Sequence, residues 1–190
     1  SFVKNKVLGS SIDYKILPRK VKFDWEKTPV DWIPNQPFAS YFINEINNIL
    51  PAGEFWFCRL YNKVLPEITD EKLKEDVIGF IRQETTHARA HENVQDFLRE
   101  NGYDVQDQLN RAHFLFNILL GDKPLGLPIL RNKALEEYWL LFRVGIIAAI
   151  EHFTGTIGHW TLESKSWDSA DPAMADLFRW HLAEEVEHRC

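Results

Sequence analysis

The stretch "FIRQETTHARAH" occupies residues 80–91. Its surroundings predict a helix, and on a helix Glu84, His87 and His91 stand at i, i+3 and i+7. At about 100° per residue these three side chains fall within roughly 60° of one another on one face. An apolar side chain would pack there at lower cost. An ionised carboxylate buried without a partner is strongly disfavoured, so this face needs compensating charge.

The same problem recurs along the chain. Glu54 lies inside "ILPAGEFWFC" (49–58), and Glu151 directly follows "VGIIAAI" (144–150). Glu185 and His188 repeat the Glu-x-x-His spacing, with His181 one turn earlier on the same face. Taken singly, each has a plain alternative. Glu54 suits the first turn of a helix by charge, and one Glu-x-x-His is a common surface pair. Order decides between the readings. Glu54 precedes Glu84-x-x-His87 by 30 residues, and Glu151 precedes Glu185-x-x-His188 by 34. Two helix pairs, each giving one Glu and then one Glu-x-x-His, form the donor set of a ferritin-like di-metal bundle. Four carboxylates bring a charge of about −4, which two divalent ions cancel. The candidate metal ligands are therefore Glu54, Glu84, His87, Glu151, Glu185 and His188. His91 and His181 stand beside them as additional ligands or as hydrogen-bond partners of the ligands. Glu184, about 100° from Glu185, points towards solvent or towards such a supporting role.

Working outward, residues 1–37 carry Pro18, Pro29, Pro34 and Pro37 and read as an irregular segment packed by Phe23, Trp25 and Trp32. The texture is helical from 38 onward. Pro51 suits the first turn of a helix over 51–65. Asp70 caps a long helix to about 101, stopped by Gly102. A shorter helix over about 104–120 ends at Gly121, and residues 121–128 form a loop. Long helices follow over 129–164 and over 172–190, the last opened by Asp171 and Pro172. The expected class is all-α: a four-helix bundle (51–65, 70–101, 129–164, 172–190) with additional helices. Two parts are expected, the irregular segment 1–37 packed on the bundle and a helical di-metal domain over 38–190.

Composition narrows the function. The chain has 190 residues, 45% of them hydrophobic, enough for one domain with a sizeable core. A net charge of −6 without a basic stripe argues against nucleic acid as a partner. Seven Trp and thirteen Phe make the core rich in aromatics. Cys58 and Cys190 are too few for a disulfide framework and fit a reducing compartment. The longest apolar run is too short for a bilayer, so no transmembrane segment is expected, and a cytoplasmic location is. Ser1 at the start, and a last helix without a stop signal before Cys190, lead to the expectation of a longer native polypeptide.

Four stretches, "LPAGEFWF" (50–57), "GFIRQETTHARAH" (79–91), "AAIEHFTG" (148–155) and "WHLAEEVEHR" (180–189), resemble the family of predicted metal-dependent hydrolases, which looks ferritin-like. The resemblance spans most of residues 36–190. In that family the last motif runs on into further helical sequence.

The donor set is rich in carboxylate and imidazole, whereas structural zinc favours thiolates. Two metal ions are expected, iron first, with manganese or a mixed Mn/Fe pair next. The leading expectation is a di-iron enzyme that activates O2 to oxidise a small, apolar organic substrate, drawing on an electron donor. The alternative is a metal-dependent hydrolase in which a hydroxide bridging the ions attacks an ester or phosphoester, with Arg59, Arg82 or Arg143 orienting the substrate. A second alternative is a non-catalytic metal-binding helical protein; in any of these roles an oligomer is compatible with the sequence. Phe55, Phe57, Phe80 and Phe153 adjoin the ligands and are candidates for a dry pocket, with simple core packing as the plainer role.

Overall fold

The computed structural model describes residues 15–127, 132–165 and 167–188. Among them the regular structure is entirely helical. Five helices carry the architecture: α1 (Pro37–Val64), α2 (Glu71–Glu100), α3 (Gln106–His113), α4 (Lys133–Glu163) and α5 (Pro172–Glu187). Their starts follow local chemistry. The Asp70 carboxylate accepts from Leu73 N, the Asn132 amide from Leu135 N, and Asp171 from Ala173 N and Met174 N. Each satisfies a backbone donor that the first turn leaves orphaned.

Two boundaries depart from the sequence reading. The sequence places a helix start at Pro51, yet α1 runs unbroken from Pro37 through it. A proline inside a helix removes one N–H. Here the residues on either side, from Asn44 to Leu60, include many buried ones, and their packing holds the helix together. The helix expected near 104–120 is regular only to His113 and continues over Phe114–Leu119 in the wider π geometry. Residues 128–131, part of the predicted loop and helix start, and residues 189–190 of the predicted last helix lie outside the described residues.

α1 packs along α2, and α4 along α5. The second pair comes very close. A Cβ on Gly158 of α4 would meet the Leu182 backbone oxygen of α5 at 2.9 Å, so only glycine permits this approach. Two apolar clusters fill the bundle. One gathers Trp32, Val94, Phe97, Leu98, Met174, Leu177 and Phe178. The other gathers Trp56, Phe57, Leu60, Phe80, Phe116 and Ile147. On α2 the order Phe80, Glu84, His87, His91, Val94 sets the polar residues between the two clusters.

Residues 15–36 carry no helix or strand and lie across α2 and α5. They come so near α2 that a Cβ on Gly79 would meet Ile16 O at 2.2 Å. Trp32 O accepts from Asp171 N at 2.7 Å, tying the segment to the start of α5.

Of the four long helices, α4 is the least covered. Tyr138, Leu141, Phe142, Phe153 and Trp160 are all exposed. By length and apolar composition it is the one described helix sufficient to cross a membrane, which the short apolar run in the sequence does not indicate. Arg143 and Glu151 nevertheless lie buried within it.

Candidate metal centre

Each of the four long helices delivers part of one buried cluster. Glu54 comes from α1, Glu84 and His87 from α2, Glu151 from α4, and Glu185 and His188 from the end of α5. The ligand atoms of Glu54, Glu84 and His87 lie within 4.8 Å of one another. So do those of Glu84, Glu151, Glu185 and His188. Glu84 belongs to both groups. His181 and His91 form a further group with Glu54, and His181 another with His87 and Glu185. All eight residues singled out from the sequence thus converge.

The histidines are oriented from outside. Glu184, on α5, is fully buried and accepts from Arg19 N at 2.8 Å, Arg19 Nη1 at 3.1 Å and Trp180 Nε1 at 3.1 Å. Burial works against its charge, but the hydrogen bond from His87 and those from Arg19 hold it below the usual carboxylate range. His87 Nε2, 3.0 Å away, therefore donates to Glu184 Oε2. That leaves His87 Nδ1 facing Glu84 at 3.5 Å and Glu185 at 3.6 Å. Of the two sequence expectations for Glu184, solvent or a supporting role, the structure agrees with the second: Arg19 covers α5 on that side, and Glu184 meets His87.

His188 is held in the same way by Gln83. The Gln83 amide nitrogen donates to Leu17 O at 3.1 Å and to Glu187 Oε2 at 3.0 Å. Its oxygen is thereby left to accept from His188 Nε2 at 2.9 Å. His188 Nδ1 then faces Glu151 at 2.6 Å and Glu84 at 3.6 Å. Gln83, Asn47 and Arg19 are supporting residues that the sequence reading misses. A faint signal exists for the first: Gln83-Glu84-x-x-His87 and Glu184-Glu185-x-x-His188 both place an acceptor before the Glu, and each acceptor reaches the histidine of the other half.

Electrostatics leave a charge to be met. Burial pushes Glu54 well above the usual carboxylate range, and neighbouring carboxylates push it further. Burial and Glu185 raise Glu84 to about 7 and Glu151 to about 9. Glu185 goes the other way, to about 2: the hydrogen bond with His181 and the nearby imidazoles outweigh its burial. Both oxygens of Glu54, both of Glu84 and His87 Nδ1 have no hydrogen-bond partner among the described residues. Such orphaned buried acceptors are what a cation would satisfy. The donors are oxygen and imidazole nitrogen. Cys58, the one described cysteine, bonds with Thr85 and Ile81 O, and burial raises its thiol to about 11. The site fits hard or borderline divalent ions and not thiolate-bound zinc.

The expected aromatic pocket divides. Phe57 and Phe80 are buried in the second apolar cluster, and the Phe80 ring lies 4.7 Å from that of His188. Phe55 is half-buried. Phe153 is 64% exposed and does not line a dry pocket: two residues beyond Glu151, it stands about 200° round the helix, on the outer face. A surface depression of about 960 Å³ lies elsewhere, between the end of α1, residues 122–127 and the start of α4, and none of the cluster's own residues lines it.

No curated protein and no solved structure matches the chain. A family model described as predicted metal-dependent hydrolase matches residues 17–190, a range that takes in nearly all of the segment over 15–36, the four long helices and every residue of the cluster. The chain belongs to the family of predicted metal-dependent hydrolases.

Proposed function

We propose that this protein holds two divalent metal ions between its two helix pairs, in a ferritin-like arrangement, and uses them to hydrolyse an ester-like bond. The observation that carries the ion-binding part is the set of buried, unpartnered atoms on Glu54, Glu84 and His87. Glu54, Glu84 and His87 would hold one ion, and Glu151, Glu185 and His188 the other, with Glu84 reaching both. Family membership supports hydrolysis. Bound divalent ions supply Lewis acidity and lower the pKa of a coordinated water towards neutrality.

The chain's own groups do the rest. Glu184 and Gln83 accept at Nε2 of His87 and His188, so that Nδ1 is the nitrogen each ring turns towards the ions. Thr154 Oγ1 donates to Glu185 Oε2 and fixes that carboxylate. Rings of Trp180 and Phe80, 4.9 Å from His87 and 4.7 Å from His188, keep water from the ligands' outer side. The arginines considered for substrate orientation are occupied or remote. Arg143 donates to Asp122, Leu120 O and Trp139 O, Arg59 to Asn117, and Arg82 is exposed.

A second reading, oxidation of an organic substrate by a di-iron centre with O2, is favoured by the donor set itself, two Glu residues and two Glu-x-x-His pairs. Metal-free protein reloaded separately with Mn(II), Zn(II) and, without air, Fe(II) separates the two. Hydrolysis predicts metal-dependent turnover of simple carboxylic and phosphoric esters, lost in Glu151→Ala. No turnover with any metal, together with O2 uptake and an optical change when the Fe(II) protein meets air, would replace the first reading by the second.

A further inference from the structure

We propose that His181 Nε2 is a third histidine donor to the metal centre, and that His91 is not a ligand but a positioning residue which, with Asn47, fixes the His181 tautomer. The inference rests on the ion-binding reading above and concerns the line Asn47–His91–His181, which runs from α1 through α2 to α5.

The line can be read proton by proton. Asn47 Nδ2 donates to His91 O at 3.4 Å, which places Asn47 Oδ1 against His91 Nδ1 at 2.6 Å. An amide oxygen only accepts, so His91 Nδ1 carries a hydrogen. The other ring nitrogen, His91 Nε2, lies 2.6 Å from His181 Nδ1. One proton sits between them. Were it on His91, that ring would be a cation, fully buried, with an amide and an imidazole as its hydrogen-bond partners and the Phe178 ring at 5.5 Å. Neither partner carries the negative charge that a buried cation requires, and Glu54, with an oxygen within 4.8 Å, makes no hydrogen bond to the ring. The proton therefore belongs to His181 Nδ1, and neutral His91 accepts it. Both nitrogens of His91 are then used within the line.

With Nδ1 committed to His91, His181 turns Nε2 to the cluster, where without metal it shares a proton with Glu185 and a bound ion would take that proton's place. That nitrogen lies 3.1 Å from Glu185 Oε1 and 3.5 Å from Glu54 Oε1. A nitrogen lone pair facing two carboxylate oxygens is repulsive unless a cation or a proton stands among them. Both Glu54 oxygens have no hydrogen-bond partner among the described residues, so this corner of the cluster is open to a cation. The scheme matches the other two ligand histidines. His87 and His188 each give Nε2–H to an outer acceptor and turn Nδ1 inward; His181 gives Nδ1–H to His91 and turns Nε2 inward. The two ions are consequently unequal. The one beside Glu54 gains two imidazoles, His87 and His181, and the one beside Glu151 has His188 alone.

The test uses protein labelled with 15N in its histidine rings and loaded with 113Cd(II). The inference expects one-bond cadmium–nitrogen coupling at His87 Nδ1, His188 Nδ1 and His181 Nε2, and none at His91, whose Nδ1 keeps its proton. Coupling at His87 and His188 without coupling at His181, or with coupling at His91, overturns the inference and leaves the two-ion reading standing. Absence of coupling at all four histidines overturns both. In parallel, His91→Gln should retain the wild-type number of ions at saturation with affinity weakened about 10–100-fold. His181→Gln should lose the ion on the Glu54 side. Equal metal titrations for wild type and both variants would refute the assignment.

Discussion

At the scale of single residues, every inward-facing imidazole keeps one nitrogen for the centre and gives the other to an acceptor outside it. This division makes separate predictions for neighbours in sequence. Glu151→Ala removes a buried carboxylate whose face is otherwise Ile147 and small or apolar side chains, and it should leave at most one ion per chain by elemental analysis. Glu184→Ala removes the acceptor that holds His87, not a donor. Two ions should still bind at saturating metal, with affinity about 10–100-fold weaker in an equilibrium titration. A Glu184→Ala protein that binds metal like wild type would show that the His87 tautomer needs no such support. The candidate ligands were legible from sequence as a cluster because i+3 spacing on a helix is a local property. Their supports were legible only in part: Glu184 and His91 stood out beside the candidates, but Gln83 meets His188 across 105 positions, Glu184 meets His87 across 97, and no local pattern encodes these pairings or which nitrogen of a ring faces inward.

At the scale of elements, Asp70 and Gly102 announce both ends of α2, and Asp171 and Pro172 announce the start of α5. Continuity through Pro51 and the wide turns over Phe114–Leu119 escape such rules, because packing by distant residues overrides local propensity there. The strap over 15–36 is also read only as irregular in sequence, whereas the structure gives it work: Leu17 O holds the Gln83 amide, and Arg19 holds Glu184. Gly79 is where strap and α2 meet. In Gly79→Ala a methyl group would stand 2.2 Å from Ile16 O, so the backbone of the strap must move. The expected result is a loss of roughly 1–3 kcal/mol in urea unfolding, the range for overpacking. Metal affinity should weaken as well, because Gln83 loses its Leu17 partner. Unchanged affinity beside a clear loss of stability would mean that the strap packs on the bundle without supporting the centre.

For the molecule as a whole, the proposed ions would compete with protons for the same buried charge. Glu84 and Glu151 rise from an ordinary value of 4.5 to about 7 and about 9 in the metal-free fold, chiefly by burial. A raised folded-state pKa contributes stability that is full below about pH 4.5 and is lost as pH climbs through 7 and then 9. Glu185, lowered to about 2, acts oppositely: its contribution is present above about 4.5 and fades as pH falls towards 2. The metal-free protein should therefore lose stability from pH 5 towards pH 9, and the gain in melting temperature on adding metal should widen over the same window. Each site filled at a free metal concentration 100 times its Kd adds about 2.7 kcal/mol. Equal melting curves with and without a chelator at pH 8, with metal removal verified, would contradict this. Anomalous-scattering crystallography of the protein with Mn(II) decides whether the two helix pairs close around two ions. Two peaks are expected inside the bundle, one among Glu54, Glu84 and His87 and one among Glu84, Glu151, Glu185 and His188; crystals equilibrated with saturating Mn(II) that show no anomalous peak in the buried cluster would refute the two-ion proposal.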